Sequence, residues 1–125
     1  MTIRITQNRA TGGQSGTDMT YALEQSAIHC GSPRDHVVIL SDGLVENEQF
    51  SATKALASGQ PLHLPPPSSA YLTGCSVEML GVGMAPGIGQ NTQTLPNDQV
   101  LRLETGLREY FKAAGARDVR FASML

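Results

Sequence analysis

Three oxygen-bearing side chains stand where this sequence could bind a metal ion. Ser41 and Asp42 directly follow the apolar run at 37–40, and Thr17 stands immediately before a predicted helix. The loops at the carboxyl ends of parallel strands form the ligand-binding edge of open α/β sheets. Mg²⁺ and Mn²⁺ prefer oxygen ligands of this kind. The sequence therefore predicts a divalent-cation site that includes Thr17, Ser41 and Asp42.

Two of these side chains, Thr17 and Asp42, also have a simpler, structural explanation. Thr17 or Asp18 could only cap the helix, since both residue types are common at that position. Asp42 could only stabilise a tight turn together with Gly43. Both interpretations stay open at the level of the sequence.

The elements that must position these residues alternate between strands and helices. Strands are predicted at about 3–6, 37–41, 77–82 and 118–123, and helices at about 17–30, 52–58 and 98–114. This alternation predicts an α/β fold in which a mostly parallel sheet is flanked by helices. The uninterrupted apolar run at 37–40 further predicts that both faces of the sheet are covered.

Capping residues and glycines set the predicted helix boundaries. Ser51 is the predicted cap of the second helix, and Asn97 or Asp98 is that of the third. Gly115 is predicted to end the third helix. Residues 85–97 are predicted to form a long polar loop.

Residues 15–43, SGTDMTYALEQSAIHCGSPRDHVVILSDG, resemble the middle of a von Willebrand factor A domain. Such domains have a Gly-Gly-Thr-like loop that enters a helix ending in Ala-Leu, and then an apolar strand ending in Ser/Thr-Asp-Gly. The segment VEMLGVGM at 77–84 resembles the family's next strand, which commonly ends in Gly-Val-Gly. The resemblance implies a Rossmann-like sheet with a metal-ion-dependent adhesion site. Thr17 and Asp42 match its threonine and aspartate ligands, and Ser41 lies beside Asp42.

The resemblance implies a role in protein–protein interaction, because in this family a partner's carboxylate completes the coordination of the metal. The family's first motif, Asp-x-Ser-x-Ser at the end of an apolar strand, has no counterpart in this sequence. The nearest string begins at Asp18 and is predicted to start a helix. Residues 1–125 are thus expected to be a single domain of this type or a fragment truncated at the N-terminus. The Mg²⁺ or Mn²⁺ site would then be lost, incomplete, or completed by another chain.

A truncated sheet would expose an edge that is normally paired, so a homo-oligomer is expected. A metal-free assembly module held together by that edge is one alternative to a metal-dependent interaction domain. A small α/β enzyme that uses Cys75 or a histidine is another, and Cys75 with a histidine could form a pair of nucleophile and base. The histidines are His29, His36 and His63. A dinucleotide-binding loop is disfavoured, because Pro86 stands where the third glycine after Gly81 and Gly83 is needed.

Composition argues against several partners and locations. The net charge is −2 and no cluster of Lys and Arg is present, which argues against nucleic acid. No stretch approaches the roughly 20 apolar residues of a membrane-spanning helix, and the N-terminus lacks the apolar core of a signal peptide. No membrane partner and a cytoplasmic location are therefore expected. Cys30 and Cys75 are expected to be reduced and partly buried, with a disulfide or a reactive thiol as alternatives.

Overall fold

The computed structural model describes residues 2–6, 18–32, 34–86 and 92–122. The strands in these ranges are β1 (Thr2–Thr6), β2 (His36–Leu40), β3 (Ser76–Leu80), β4 (Met84–Pro86), β5 (Thr92–Thr94) and β6 (Asp118–Ala122). The helices are α1 (Met19–Gln25), α2 (Ala52–Ala57) and α3 (Asn97–Ala113). Among them, none has the length and apolar character that crossing a membrane requires.

Four of the strands form a parallel sheet in the order β1-β2-β3-β6. The strands are in simple register, with Ile3 opposite Val37, Val37 opposite Val77 and Val77 opposite Val119. Parallel neighbours require crossover connections, and the three helices lie in those connections. The prediction of an α/β fold built on a parallel sheet is therefore confirmed.

β4 and β5 pair antiparallel and form a separate two-stranded sheet. The prediction of an irregular loop at 85–97 is wrong for this hairpin, and residues 87–91 of that loop lie outside the described residues. Each strand has only three residues, too few for a periodic pattern to be recognised. Pro86 also argues against a strand on sequence grounds, yet proline is tolerated at sheet edges.

The two faces of the parallel sheet differ in burial. Val37 and Ile39 have 0% exposure and belong to the single core cluster that includes residues of all three helices. Val38 and Leu40, on the other face, are only half-buried. That face carries an open cavity of about 340 Å³ between β2, β3 and β6. The prediction that both faces are covered is therefore wrong for the described residues, because only alternate residues of the apolar run pack into the core.

The first two helices are capped as the sequence predicts, and the third is not. Asp18 caps α1 and Ser51 caps α2, each by accepting a hydrogen bond from a backbone N–H three residues on. The prediction of Asn97 or Asp98 as the cap of α3 is wrong. The capping residue is Pro96, which makes no side-chain bond; its carbonyl oxygen accepts the first hydrogen bonds of the helix instead.

Cys30 and Cys75 form a disulfide, with an S–S distance of 2.02 Å. The expectation of two reduced cysteines is therefore wrong. Cys30 lies in the loop after α1, and Cys75 directly precedes β3. The connection through α1 brings the chain back to the amino ends of the strands. The two cysteines meet there. Their separation of 45 residues conceals that proximity in the sequence.

Candidate functional site

The structure places Ser41 and Asp42 at the carboxyl end of β2, an inner strand of the sheet. Only 6% of Ser41 and 7% of Asp42 is exposed, so both of these polar residues are buried. The Ser41 N–H donates to the Leu80 carbonyl oxygen at 3.1 Å, so the contact between β2 and β3 extends to this point. A buried carboxylate must be satisfied by hydrogen bonds or by a cation.

Backbone N–H groups donate hydrogen bonds to both side chains. The Gly43 N–H donates to Ser41 Oγ at 3.0 Å, and the Leu44 N–H donates to Asp42 Oδ1 at 2.9 Å. The turn-stabilising role considered for Asp42 is therefore present.

The turn at Asp42 is also held by the segments that follow β3 and by α3. The Gly83 N–H donates to the Asp42 carbonyl oxygen at 2.8 Å, and the Leu95 N–H donates to the Gly83 carbonyl oxygen at 3.0 Å. Gly43 has a φ of 78°, and a Cβ there would lie 2.8 Å from Leu107 Cδ1. The carboxylate is thus carried by a turn that is fixed from two directions.

Helix α1 contributes a second acidic side chain next to this loop. Asp18 Oδ1 accepts from the Thr20 hydroxyl, and Asp18 Oδ2 accepts from Asn47 Nδ2 at 2.9 Å. Asn47 lies in the loop that follows Asp42, so the start of α1 is tied to that loop. Thr17, the remaining predicted ligand, lies outside the described residues. The structure therefore places two of the three predicted ligands side by side and leaves the third undescribed.

These donors match a hard divalent cation in type, though they are few. Ser41 and Asp42 offer oxygen atoms only, which suits Mg²⁺ or Mn²⁺. Within the ranges that the structure describes, no group of three or more His, Cys, Asp or Glu residues is placed to hold a metal ion. A cation at this edge would need further ligands from Thr17, from water or from a second chain.

Comparison with known proteins gives no family assignment. The chain matches no protein-family model, no curated protein and no solved structure. Interpretation of the site therefore depends on its geometry and on the motif at residues 15–43.

The structure excludes Cys75 from the roles considered for an enzyme. Cys75 has 0% exposure and its sulfur is in the disulfide, so it is not a free thiolate nucleophile. His63 Nδ1 lies 3.2 Å from Glu109 Oε1, and both side chains are well exposed. His29 and His36 are exposed as well. The proposed pairing of Cys75 with a histidine is therefore wrong for the oxidised protein.

A polar cluster that sequence patterns do not reveal joins α1, α3 and the proline-rich loop at 60–69. The Tyr71 and Tyr110 hydroxyl oxygens lie 2.8 Å apart, and the Tyr110 hydroxyl donates to Glu24 Oε1 at 3.4 Å. Glu24 also accepts from the N–H and the hydroxyl of Ser68, at 3.3 and 3.1 Å. Glu24 thereby holds the proline-rich loop against both helices.

Alkaline pH is expected to destabilise the protein through this cluster. Burial raises the pKa of Tyr71 to about 12 and also raises that of Tyr110, and the Glu24 carboxylate adds to both increases. Tyrosines of the unfolded chain titrate near pH 10, so the unfolded state loses its protons first. The free energy of unfolding should therefore fall as pH rises from about 10 to about 12. Urea unfolding across this range should show a smaller fall for Tyr71→Phe than for the wild type.

Tyr21→Phe is the matched control, because Tyr21 is 62% exposed and lies outside the cluster. It should retain the pH dependence of the wild type. Equal pH dependence of the wild type and Tyr71→Phe would show that the cluster does not control alkaline stability.

Proposed function

We propose that this chain is a protein-interaction domain of the von Willebrand factor A type, with a degenerate or incomplete metal-ion-dependent adhesion site. The observation that carries the proposal is the burial of Ser41 and Asp42 side by side at the carboxyl end of an inner parallel strand. The resemblance of residues 15–43 to this family also points to Asp42, together with Thr17. The site would take Mg²⁺ or Mn²⁺ and, with it, a protein partner.

The residues of the chain would supply a rigid part of such a site. Asp42 is fixed by its bond to the Leu44 N–H and by the bond of its carbonyl oxygen to Gly83. A carboxylate held in this way loses little freedom when it binds, so less binding free energy is spent on ordering it. When bound, the cation would supply positive charge for a carboxylate of the partner. The number of ligands that the chain adds to Asp42 and Ser41 would set the affinity.

Excess Mg²⁺ or Mn²⁺ is expected to raise the melting temperature above that measured in EDTA. A cation that binds only the folded state, at 100 times its dissociation constant, adds about 2.7 kcal/mol to the free energy of unfolding. For a domain of this size the shift would be roughly 10 °C. Asp42→Asn should abolish it, because the amide keeps an acceptor for the Leu44 N–H but lacks the negative charge. Thermal melts followed by circular dichroism measure both effects.

Asp98→Asn provides the matched control, since the Asp98 side chain is 76% exposed at the start of α3. This variant should show the same cation-dependent shift as the wild type. If Mg²⁺ and Mn²⁺ left the melting temperature of the wild type unchanged, this would contradict a metal site at the carboxyl end of β2. A shift that survives Asp42→Asn would remove Asp42 from the site.

The disulfide supports a proposal about location as well. Cytosolic glutathione and thioredoxin keep most protein thiols reduced. The Cys30–Cys75 bond therefore favours an oxidising compartment over the cytoplasmic location expected from the sequence. Thiol titration of the protein isolated from its native host under thiol-blocking conditions tests this. Two reactive thiols per denatured chain would support the cytoplasm, and none would support the oxidising compartment.

A further inference from the structure

Strand β1 forms one edge of the parallel sheet. Among the described residues it pairs with β2 on one side, and no described strand pairs with its other side. The unpaired N–H and C=O groups of an edge strand are a template for another strand. We propose that β1 pairs antiparallel with β1 of a second copy of this chain, about a two-fold axis at Arg4. This proposal does not depend on the metal site.

The two edge strands of the sheet, β1 and β6, differ in how well they are protected against pairing with another strand. β1 has Thr or Ile at four of its five positions, residues that favour strands, and it contains neither proline nor glycine. At the other edge, β6 carries Asp118 and Arg120. Arg120 Nη2 lies 3.0 Å from Glu78 Oε2, and Arg117 Nε lies 3.8 Å from Asp118 Oδ2. Charged residues protect an edge against added strands, so β1 is the edge that favours pairing.

The sequence of β1 reads the same in both directions, Thr-Ile-Arg-Ile-Thr. A two-fold axis at Arg4 therefore places Thr2 opposite the second copy's Thr6, and Ile3 opposite its Ile5. Thr–Thr pairs and pairs of β-branched residues are favourable across antiparallel strands. A two-fold interface requires a segment that is complementary to itself, and β1 meets this requirement. A second copy is thus the partner that this edge fits.

Pairing at this edge would extend the sheet of each copy. Ile3 and Ile5 are in register with Val37 and Ile39, which both have 0% exposure. Two copies of the four-stranded sheet would join into one sheet of eight strands, with the two β1 strands at its centre.

Arg4 is the one position at which this pairing is unfavourable. Two like charges directly opposite each other destabilise a strand pair. The paired segment is also short, and it buries far less than the roughly 800 Å² per partner of a standard interface. We therefore expect a weak dimer, with a dissociation constant on the order of 0.1 mM. The opposed arginines also give a specific way to test the register.

Sedimentation velocity of the wild type from about 10 µM to about 1 mM covers the expected dissociation constant. The average mass should rise towards that of a dimer, and equally so in Mg²⁺ and in EDTA. If no cation bound at Asp42, the rise in average mass with concentration would be unchanged. The two proposals can therefore be told apart. Wild type mixed with Arg4→Glu should form heterodimers about fivefold more tightly than wild-type homodimers form, because Arg then faces Glu.

Arg120→Glu provides the control at the opposite edge, and its mixture with the wild type should show no such preference. A wild type that stays monomeric up to about 1 mM would overturn the proposal. The proposal would also be overturned if the wild type dimerised more tightly when mixed with Arg120→Glu but not when mixed with Arg4→Glu. The wild-type series requires no variant to fold, and circular dichroism verifies the fold of both variants.

Discussion

Reduction of the Cys30–Cys75 disulfide is expected to lower the free energy of unfolding by about 4 kcal/mol. The bond joins residues 45 positions apart, and in the chain-entropy model its contribution grows with the logarithm of that loop length. Typical domains have a total of only about 5–15 kcal/mol. The melting temperature should therefore fall by roughly 15 °C.

The measurement is urea unfolding followed by circular dichroism, with and without dithiothreitol. The double variant Cys30→Ala with Cys75→Ala should have the stability of the reduced protein and should not respond to the reductant. Alanine is the better replacement, because Cys75 has 0% exposure and serine would bury a hydroxyl group there. An unchanged midpoint in protein shown by thiol titration to be reduced would contradict the prediction.

Gly43→Ala is expected to lower the free energy of unfolding by about 2–5 kcal/mol. The backbone at Gly43 has a φ of 78°, a conformation that costs other residues roughly 1–2 kcal/mol. The new methyl group would also lie 2.8 Å from Leu107 Cδ1 and 3.3 Å from Met79 Cε. Relieving such a clash in a packed core typically costs a further 1–3 kcal/mol or so. Urea unfolding measures the total.

Gly59→Ala separates these two contributions. Gly59 has a φ of 77°, nearly the same as Gly43, but a Cβ there would meet no heavy atom within 4 Å. It should therefore lose only the conformational part, about 1–2 kcal/mol. Equal losses in the two variants would show that the turn carrying Asp42 is not tightly packed against α3.

The order of the elements can be predicted because it depends on residues close together in the chain. The caps at Asp18 and Ser51 each involve a backbone N–H three residues away, and both are found where the sequence places them. The parallel sheet is predictable too, since alternating strands and helices allow few connections. The placement of Asp42 at a strand end follows directly from the apolar run before it.

The features that were missed depend on contacts between distant residues. Cys30 and Cys75 are 45 residues apart, and Glu24 and Tyr110 are 86 apart. No local pattern reveals such neighbours, because they meet only when the crossovers have been built. The cation site stays a prediction. The structure places Asp42 at the carboxyl end of β2, as the sequence predicts, whereas Thr17 lies outside the described residues.

The hydrogen bonds around Gly83 link the candidate site mechanically to α3. Gly83 is bonded through its N–H to Asp42 and through its carbonyl oxygen to Leu95, two residues before that helix begins. A ligand that displaced the Asp42 backbone would have to carry the start of α3 with it or break one of these bonds. The helix spans about 25 Å, and at its far end the Ala114 carbonyl oxygen accepts the Leu72 N–H. Helix α3 therefore connects the turn that carries Asp42 with the segment that leads into Cys75 and the disulfide.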